Sequence, residues 1–181
     1  DNNTSVTDNI SNKFKIKSYT NHKELRKDHG LDLIVIATPD ETHFDILMDI
    51  VKINPKIVFI EKPLAKSFDE VKIITGLYEE KNIQITVNFS RRFFNPFMMW
   101  KEMILNSSLA VKNIIFKYSG TLIHNGIHFL DLMIYFFGRP DSILSQSNNK
   151  KSPNFELNYS KLDLKASFIG LGNTPASVEE I

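Results

Sequence analysis

Cysteine is absent from the 181 residues. That excludes disulfides, thiolate metal sites and a cysteine nucleophile, and it fits a reducing compartment such as the cytoplasm. An excess of charge of one sign is lacking too. Lys and Arg number 22 against 21 Asp and Glu, a formal net charge of +1, so no electrostatic case exists for nucleic acid or an anionic membrane surface. No apolar run reaches the roughly 18 residues of a membrane-spanning helix. The polar opening, residues 1–12, holds no signal-peptide core. Glycine is scarce at 7 residues, and no complete G-x-G-x-x-G turn occurs. The first residue is Asp rather than Met, and the chain reads as a piece of a longer polypeptide. What remains is a composition of 42% hydrophobic and 24% charged residues, enough to bury a core in one large or two small soluble domains.

Residues 1–13 are polar and read as irregular, and 21–29 read as a short helix. Residues 31–37 form a nearly continuous apolar run, the pattern of a strand buried on both faces, broken by Thr38-Pro39-Asp40. Over 41–53, Phe44, Leu47, Met48 and Val51 fall at helical spacing, and Pro55 ends that helix. Residues 57–60 read as a second buried strand. Ser67 with Glu70 makes a capping-box pattern before a helix carrying Val71, Ile74, Leu77 and Tyr78 on one face. Residues 83–89 read as a third strand. Strands alternating with helices over short connections imply parallel pairing and right-handed crossovers, so 31–89 is half of a doubly wound sheet.

The pattern changes near Ser90. Asn95-Pro96 opens a helix with Phe97, Trp100, Met103 and Ile104. A strand over 111–118 and a helix over 124–137, closed by Gly138 and Pro140, follow. Strand character over 142–146, 155–159 and 162–169 without helices between suggests an antiparallel sheet and a second domain. The predicted fold class is α/β: a partial parallel sheet over 1–90, then an α/β domain with a mostly antiparallel open sheet over 91–181.

The chemistry-bearing residues cluster at strand ends, each beside a plainer reading. Glu61-Lys62-Pro63 closes the strand Ile57-Val58-Phe59-Ile60 and puts an acid and an amine at the carboxyl edge of the sheet, where open α/β sheets bind ligands. Lys62 there could hydrogen-bond a hydroxyl and stabilise a developing alkoxide. The plain alternative is an exposed ion pair. A cis Lys62–Pro63 bond is allowed but not readable. Thr38-Pro39 reaches the same edge or is simply a strand terminator. His43 sits in the first turn of the next helix, near N–H groups that suit a phosphate, or is a surface or cap residue. Arg91 and Arg92 suit an anionic group of a ligand, or form a solvated pair. His124 and His128 share a helix face with Asp131 one turn on. His124 and Asp131 would stand about 10 Å apart along the axis, too far to share one ion easily, and no HExxH pattern is present, so no metal site is expected. His128 suits proton transfer or is a satisfied histidine. Gly170-Leu171-Gly172-Asn173-Thr174-Pro175 resembles half a dinucleotide fingerprint but reads as a strand end and turn. Residues 148–153 read as a polar turn.

In combination these motifs carry a resemblance. Ala37-Thr38-Pro39 with His43, Glu61-Lys62-Pro63-Leu64-Ala65, Asn88 with Arg91-Arg92-Phe93 and Pro96, and Gly126-Ile127-His128-Phe129-Leu130-Asp131 with Gly138 resemble the Gfo/Idh/MocA oxidoreductases over about residues 16 to 145. The resemblance implies a Rossmann domain followed by an α/β domain with a large open sheet. It implies NAD or NADP, a sugar, cyclitol or nucleotide-sugar substrate, and a homo-oligomer paired through the open sheet. It implies that Thr38, Pro39, His43, Glu61 and Lys62 line the cofactor and that Lys62 and His128 are catalytic. Arg91, Arg92, His124 and Asn125 would face the substrate, and Asp131 would support the helix or the substrate pocket. The sequence departs from the family in two places. The opening strand, its glycine-rich turn and the next strand with its ribose-binding acid are missing. His124 stands where many members carry Asp. The alternative is a non-catalytic relative that binds a sugar-like ligand or a partner subunit; cofactor-assisted hydrolysis or elimination is a third.

Overall fold

Helix α1 (Thr4–Phe14) precedes three parallel strands, β1 (Leu33–Ile36), β2 (Ile57–Glu61) and β3 (Gln84–Asn88), in the order β1-β2-β3. The computed structural model describes residues 1–28, 30–106, 110–147 and 149–173. The chain divides into two units, Asp1–Asn88 and Phe89–Ile181.

In the first unit α2 (His43–Ile50) and α3 (Phe68–Glu80) make the crossovers. Ile34 pairs with Val58, and Ile60 with Val87. Ile34, Ile36, Val58 and Ile60 pack with Ile46, Leu47 and Ile50 of α2 and with Ile74 and Tyr78 of α3. Each such aliphatic side chain, taken from water, contributes about 1.5–3 kcal/mol. The Tyr78 hydroxyl donates to Leu47 O at 2.9 Å, which locks α3 to α2 and satisfies a polar group inside the core. Ser67 caps α3, accepting from Glu70 N–H at 3.2 Å. The Glu70 carboxylate reaches back to Lys66 N–H, 2.9 Å, one residue before the position a capping box uses.

Three expectations are corrected. β1 is not buried on both faces: Leu33 and Val35 are 55% and 61% exposed. β1 is an edge of the three-stranded sheet, and the α2 and α3 side chains pack on the Ile34 and Ile36 face alone. Residues 1–13 are not irregular, because Asn3 caps α1, its side chain accepting from Ser5 N–H and Val6 N–H. The predicted helix over 21–29 is a 3-10 stretch, His22–Lys27, with His29 outside the described residues.

The second unit holds α4 (Asn95–Asn106), β4 (Asn113–Tyr118), α5 (Ile127–Phe137), β5 (Ser142–Ser145), β6 (Phe155–Tyr159) and β7 (Leu164–Gly170). The sheet order is β4-β7-β6-β5. Its β5–β6 and β6–β7 pairings are antiparallel and its β4–β7 pairing is parallel, so the sheet is mixed. α5 covers it with Phe129, Leu132 and Met133, against Phe116, Phe155 and Phe168. Phe155 stacks on Phe168 with centroids 4.4 Å apart, and Phe116 on Phe129 at 4.9 Å.

α5 begins later than its spacing predicts. Leu122–Gly126 form one π-helical turn, a wider coil that often marks functional sites. Gly126 allows it: a Cβ there would lie 2.9 Å from a Leu122 methyl and 3.1 Å from the Tyr118 ring. α4 opens at Asn95 as its Asn-Pro start predicts, and its Trp100 and Met103 are 41% and 59% exposed. β7 starts after the 3-10 turn Ser160–Leu162 and a left-handed Asp163, φ 51°. Gly170 ends it, and Thr174, Pro175 and Asn148 lie outside the described residues. Among the described residues no helix is long and apolar enough to cross a membrane.

Candidate active site

Because β1, β2 and β3 run the same way, their carboxyl ends deliver Thr38-Pro39, Lys62-Pro63 and Asn88 to one edge of the sheet. That edge is the ligand side of an open α/β sheet. A cavity of about 630 Å³ opens beside it, bordered by Asp1, Thr20, Asn21, Thr38, Pro39 and Thr42. Hydrogen bonds shape its wall. Thr42 N–H donates to Pro39 O at 2.9 Å, and the Thr42 hydroxyl lies 2.8 Å from both Pro39 O and Thr38 Oγ1. The Lys62–Pro63 peptide is cis. Glu61 accepts from Asn88 Nδ2 at 2.7 Å, tying the ends of β2 and β3.

His43 departs from its expected role. Its ring is 0% exposed, with Nδ1 2.7 Å from Pro63 O and Nε2 3.0 Å from Thr38 O. It stands behind the turns and does not line the cavity. Nearby, the carboxylate of Asp49 gathers Arg26 at 2.8 Å, Lys52 at 3.0 Å and His22 at 3.2 Å. The hydrogen bond from Lys52, reinforced by His22, holds its pKa below the ordinary carboxylate range.

The second unit carries the remaining candidates. Arg91 and Arg92 lie on a 3-10 turn, Ser90–Phe93. Arg92 Nε donates to Asp131 Oδ2 at 2.7 Å and Nη2 to Oδ1 at 2.5 Å. This two-pronged pair fastens the turn to α5, and the carboxylate raises the Arg92 pKa further above its already high value. Arg92 and Asp131 thus face each other. The pairing follows from geometry, because a planar fork matches a carboxylate. The Arg91 guanidinium lies over the Phe129 ring, 4.5 Å from its centroid. Asn125 also has a structural partner, Nδ2 donating to Ser119 O at 2.9 Å. His128, in the first turn of α5, meets Phe89 edge-on at 6.4 Å and is half-buried. His124 is exposed and sits in the π turn, its N–H 3.2 Å from Thr121 Oγ1. Because a π turn is wider than an α turn, the shared face inferred for His124, His128 and Asp131 is not kept: one is exposed, one half-buried, one buried.

Asp1, which borders the cavity, was missed from sequence. Asn88, read from sequence only as part of the resemblance, holds Glu61.

Comparison with known proteins agrees with this architecture. Residues 1–89 match the oxidoreductase family with an NAD-binding Rossmann fold, Gfo/Idh/MocA. An uncharacterized oxidoreductase of Schizosaccharomyces pombe, C26H5.09c, is 27% identical over 75% of this chain and 42% of its own length. The scyllo-inositol 2-dehydrogenase (NADP(+)) IolW of Bacillus subtilis is 23% identical over 88% of this chain and 52% of its own. The chain thus spans about half the length of these relatives. Among solved structures, the WlbA dehydrogenase of Thermus thermophilus, in complex with NAD and alpha-ketoglutarate, shares the fold. Its TM-score is 0.74 at 18% identity, over 94% of this chain and 62% of that one. Residues 1–89, with their Thr38-Pro39 and Glu61-Lys62-Pro63 strand ends on a parallel sheet, belong to the Gfo/Idh/MocA oxidoreductase family.

Proposed function

We propose that this chain is part of an NAD(P)-dependent oxidoreductase that moves a hydride between nicotinamide and the hydroxyl or keto carbon of a sugar, cyclitol or nucleotide sugar. The observation that carries the reading is the convergence of Thr38-Pro39 and Lys62 at one carboxyl edge, beside an open cavity. The lining fits part of a dinucleotide. Thr38 and Thr42 offer hydroxyls, and Asp1 at the cavity border offers a carboxylate of the kind that accepts from ribose hydroxyls, in place of the acid expected to be missing. That acid supports NAD over NADP, since a 2′-phosphate would meet a like charge. The inositol dehydrogenase among the relatives supports a polyol substrate.

When bound, the nicotinamide supplies the hydride acceptor. The Lys62 ammonium hydrogen-bonds the substrate oxygen and stabilises the charge that develops there. The His128 imidazole takes the hydroxyl proton, a role its chemistry suits near neutral pH. Arg91 flanks the substrate with its guanidinium held over Phe129. Exposed Ile115, Ile143 and Leu144 on the second sheet support a homo-oligomer.

The test is Lys62→Ala in the full-length polypeptide. Turnover should fall roughly a hundredfold or more, the usual scale for a positioned proton-transfer or charge-stabilising group, with NADH affinity held within about threefold. Unchanged turnover would remove Lys62 from the chemistry. A second reading, a non-catalytic relative that binds a sugar-like ligand, is favoured by the imidazole of His124 where many family members carry an acid. Saturable NADH binding with no turnover of any polyol would select it.

A further inference from the structure

The feature left unexplained by that reading is His43. A histidine with no exposed surface sits in the first turn of α2 and touches the two turns that matter most. Nδ1 is 2.7 Å from Pro63 O, just after Lys62, and Nε2 is 3.0 Å from Thr38 O, at the cavity wall. Both partners are carbonyl oxygens and accept only, so both bonds form together only on the imidazolium, which carries a proton on each nitrogen, and a neutral ring holds one of them at a time. The two turns close neighbouring parallel strands, with Ile36 opposite Ile60 in the register. The ring bridges the two turns.

We infer that His43 is a positioning residue, a two-ended strap whose Nε2 sets the Thr38-Pro39 wall of the cofactor cavity and whose Nδ1 sets the Lys62-Pro63 turn. The inference rests on the proposed dinucleotide function for what the wall binds, but the strap itself is geometry. It replaces the expected role of His43 as a cofactor contact. A buried ring cannot touch a ligand, yet it governs two groups that do. Rigid support of this kind fixes a site to a fraction of an ångström.

The two ends separate by substitution. In His43→Asn the side-chain amide nitrogen takes the place of Nδ1, keeping the Pro63 bond and losing the Thr38 bond. In His43→Gln it takes the place of Nε2 and does the reverse. His43→Leu fills the space and loses both. In the full-length polypeptide two readouts follow: NADH affinity by nicotinamide fluorescence, and the rate of Lys62 acetylation by acetic anhydride, mapped by mass spectrometry. Urea midpoints monitor folding. His43→Gln should keep NADH affinity within about threefold while Lys62 acetylation changes severalfold. His43→Asn should lose NADH affinity about tenfold or more with Lys62 acetylation unchanged, and His43→Leu should show both effects. In wild-type protein labelled with ¹⁵N-histidine, hydrogen-bonded ring N–H resonances from His43 should exchange slowly with water and vanish in His43→Leu. Effects that merely track the urea midpoint, with no crossing between Asn and Gln, would overturn the strap. If wild type fails to bind NADH, the dinucleotide reading falls, while the acetylation pattern and ring resonances still decide the strap.

Discussion

At the scale of single residues, the Arg92–Asp131 pair ties the Ser90–Phe93 turn to α5. Asp131 is nearly buried, with 8% of its side chain exposed against 36% for Arg92. Asp131→Ala would strand a guanidinium beside Phe89 and Tyr135. Removing one partner of a fully buried pair costs about 3–5 kcal/mol, and this half-open one should cost about 2 kcal/mol. A fall in the urea midpoint of that size checks it; a midpoint unmoved would mean that solvent screens the pair. His128→Asn should lower turnover roughly a hundredfold, as loss of a general base does, while NADH affinity stays unchanged; retained turnover would move the proton-transfer role elsewhere. Residue types were legible in the sequence here, but partners were not. Lys62 and Thr38-Pro39 could be placed at a sheet edge because parallel strands order their ends. That Arg92 would meet Asp131, 39 positions along, and that His43 would face inward depend on how a turn docks on a helix.

Among elements, the caps are the readable part. Ser67 before Glu70 marks the start of α3, and the Ser67 side chain makes the expected bond. Ser67→Ala should cost about 1 kcal/mol, read as a lower urea midpoint with unchanged NADH affinity; no shift would mean that water replaces the cap. The Asp49 cluster ties the His22–Lys27 stretch to α2 through Arg26 and His22. Its carboxyl is depressed in the folded state, so the unfolded chain binds the proton first as pH falls. The stability it contributes is fully present above the ordinary carboxylate pKa and is lost as pH drops through the lower folded value. Asp49→Asn should therefore reduce stability at neutral pH and flatten its loss in acid; parallel curves for the two proteins would contradict the assignment. α1 escaped notice because its Asn, Ser and Thr residues favour helices weakly, and its regularly spaced Val6 and Phe14 are exposed. The π turn escaped because no periodicity distinguishes it from the α-helix that follows.

For the whole molecule, the half doubly wound sheet was readable because strand and helix alternate along residues 31–89 and near-neighbour crossovers leave few topologies. The second sheet was only partly so. Strands in succession suggested antiparallel pairing, which β5–β6 and β6–β7 follow. The parallel β4–β7 pair joins Asn113 with Lys165, a pairing across distant chain that no local pattern encodes. The central claim is that the carboxyl edge of the first sheet, with Thr38, Pro39 and Lys62, holds a nicotinamide dinucleotide. Titration of the full-length, folded polypeptide with NADH and NADPH, followed by nicotinamide fluorescence, tests it most directly. Saturable binding is expected, tighter for NADH because of Asp1, with Asp1→Ala narrowing that preference. Absence of binding by either dinucleotide would contradict it.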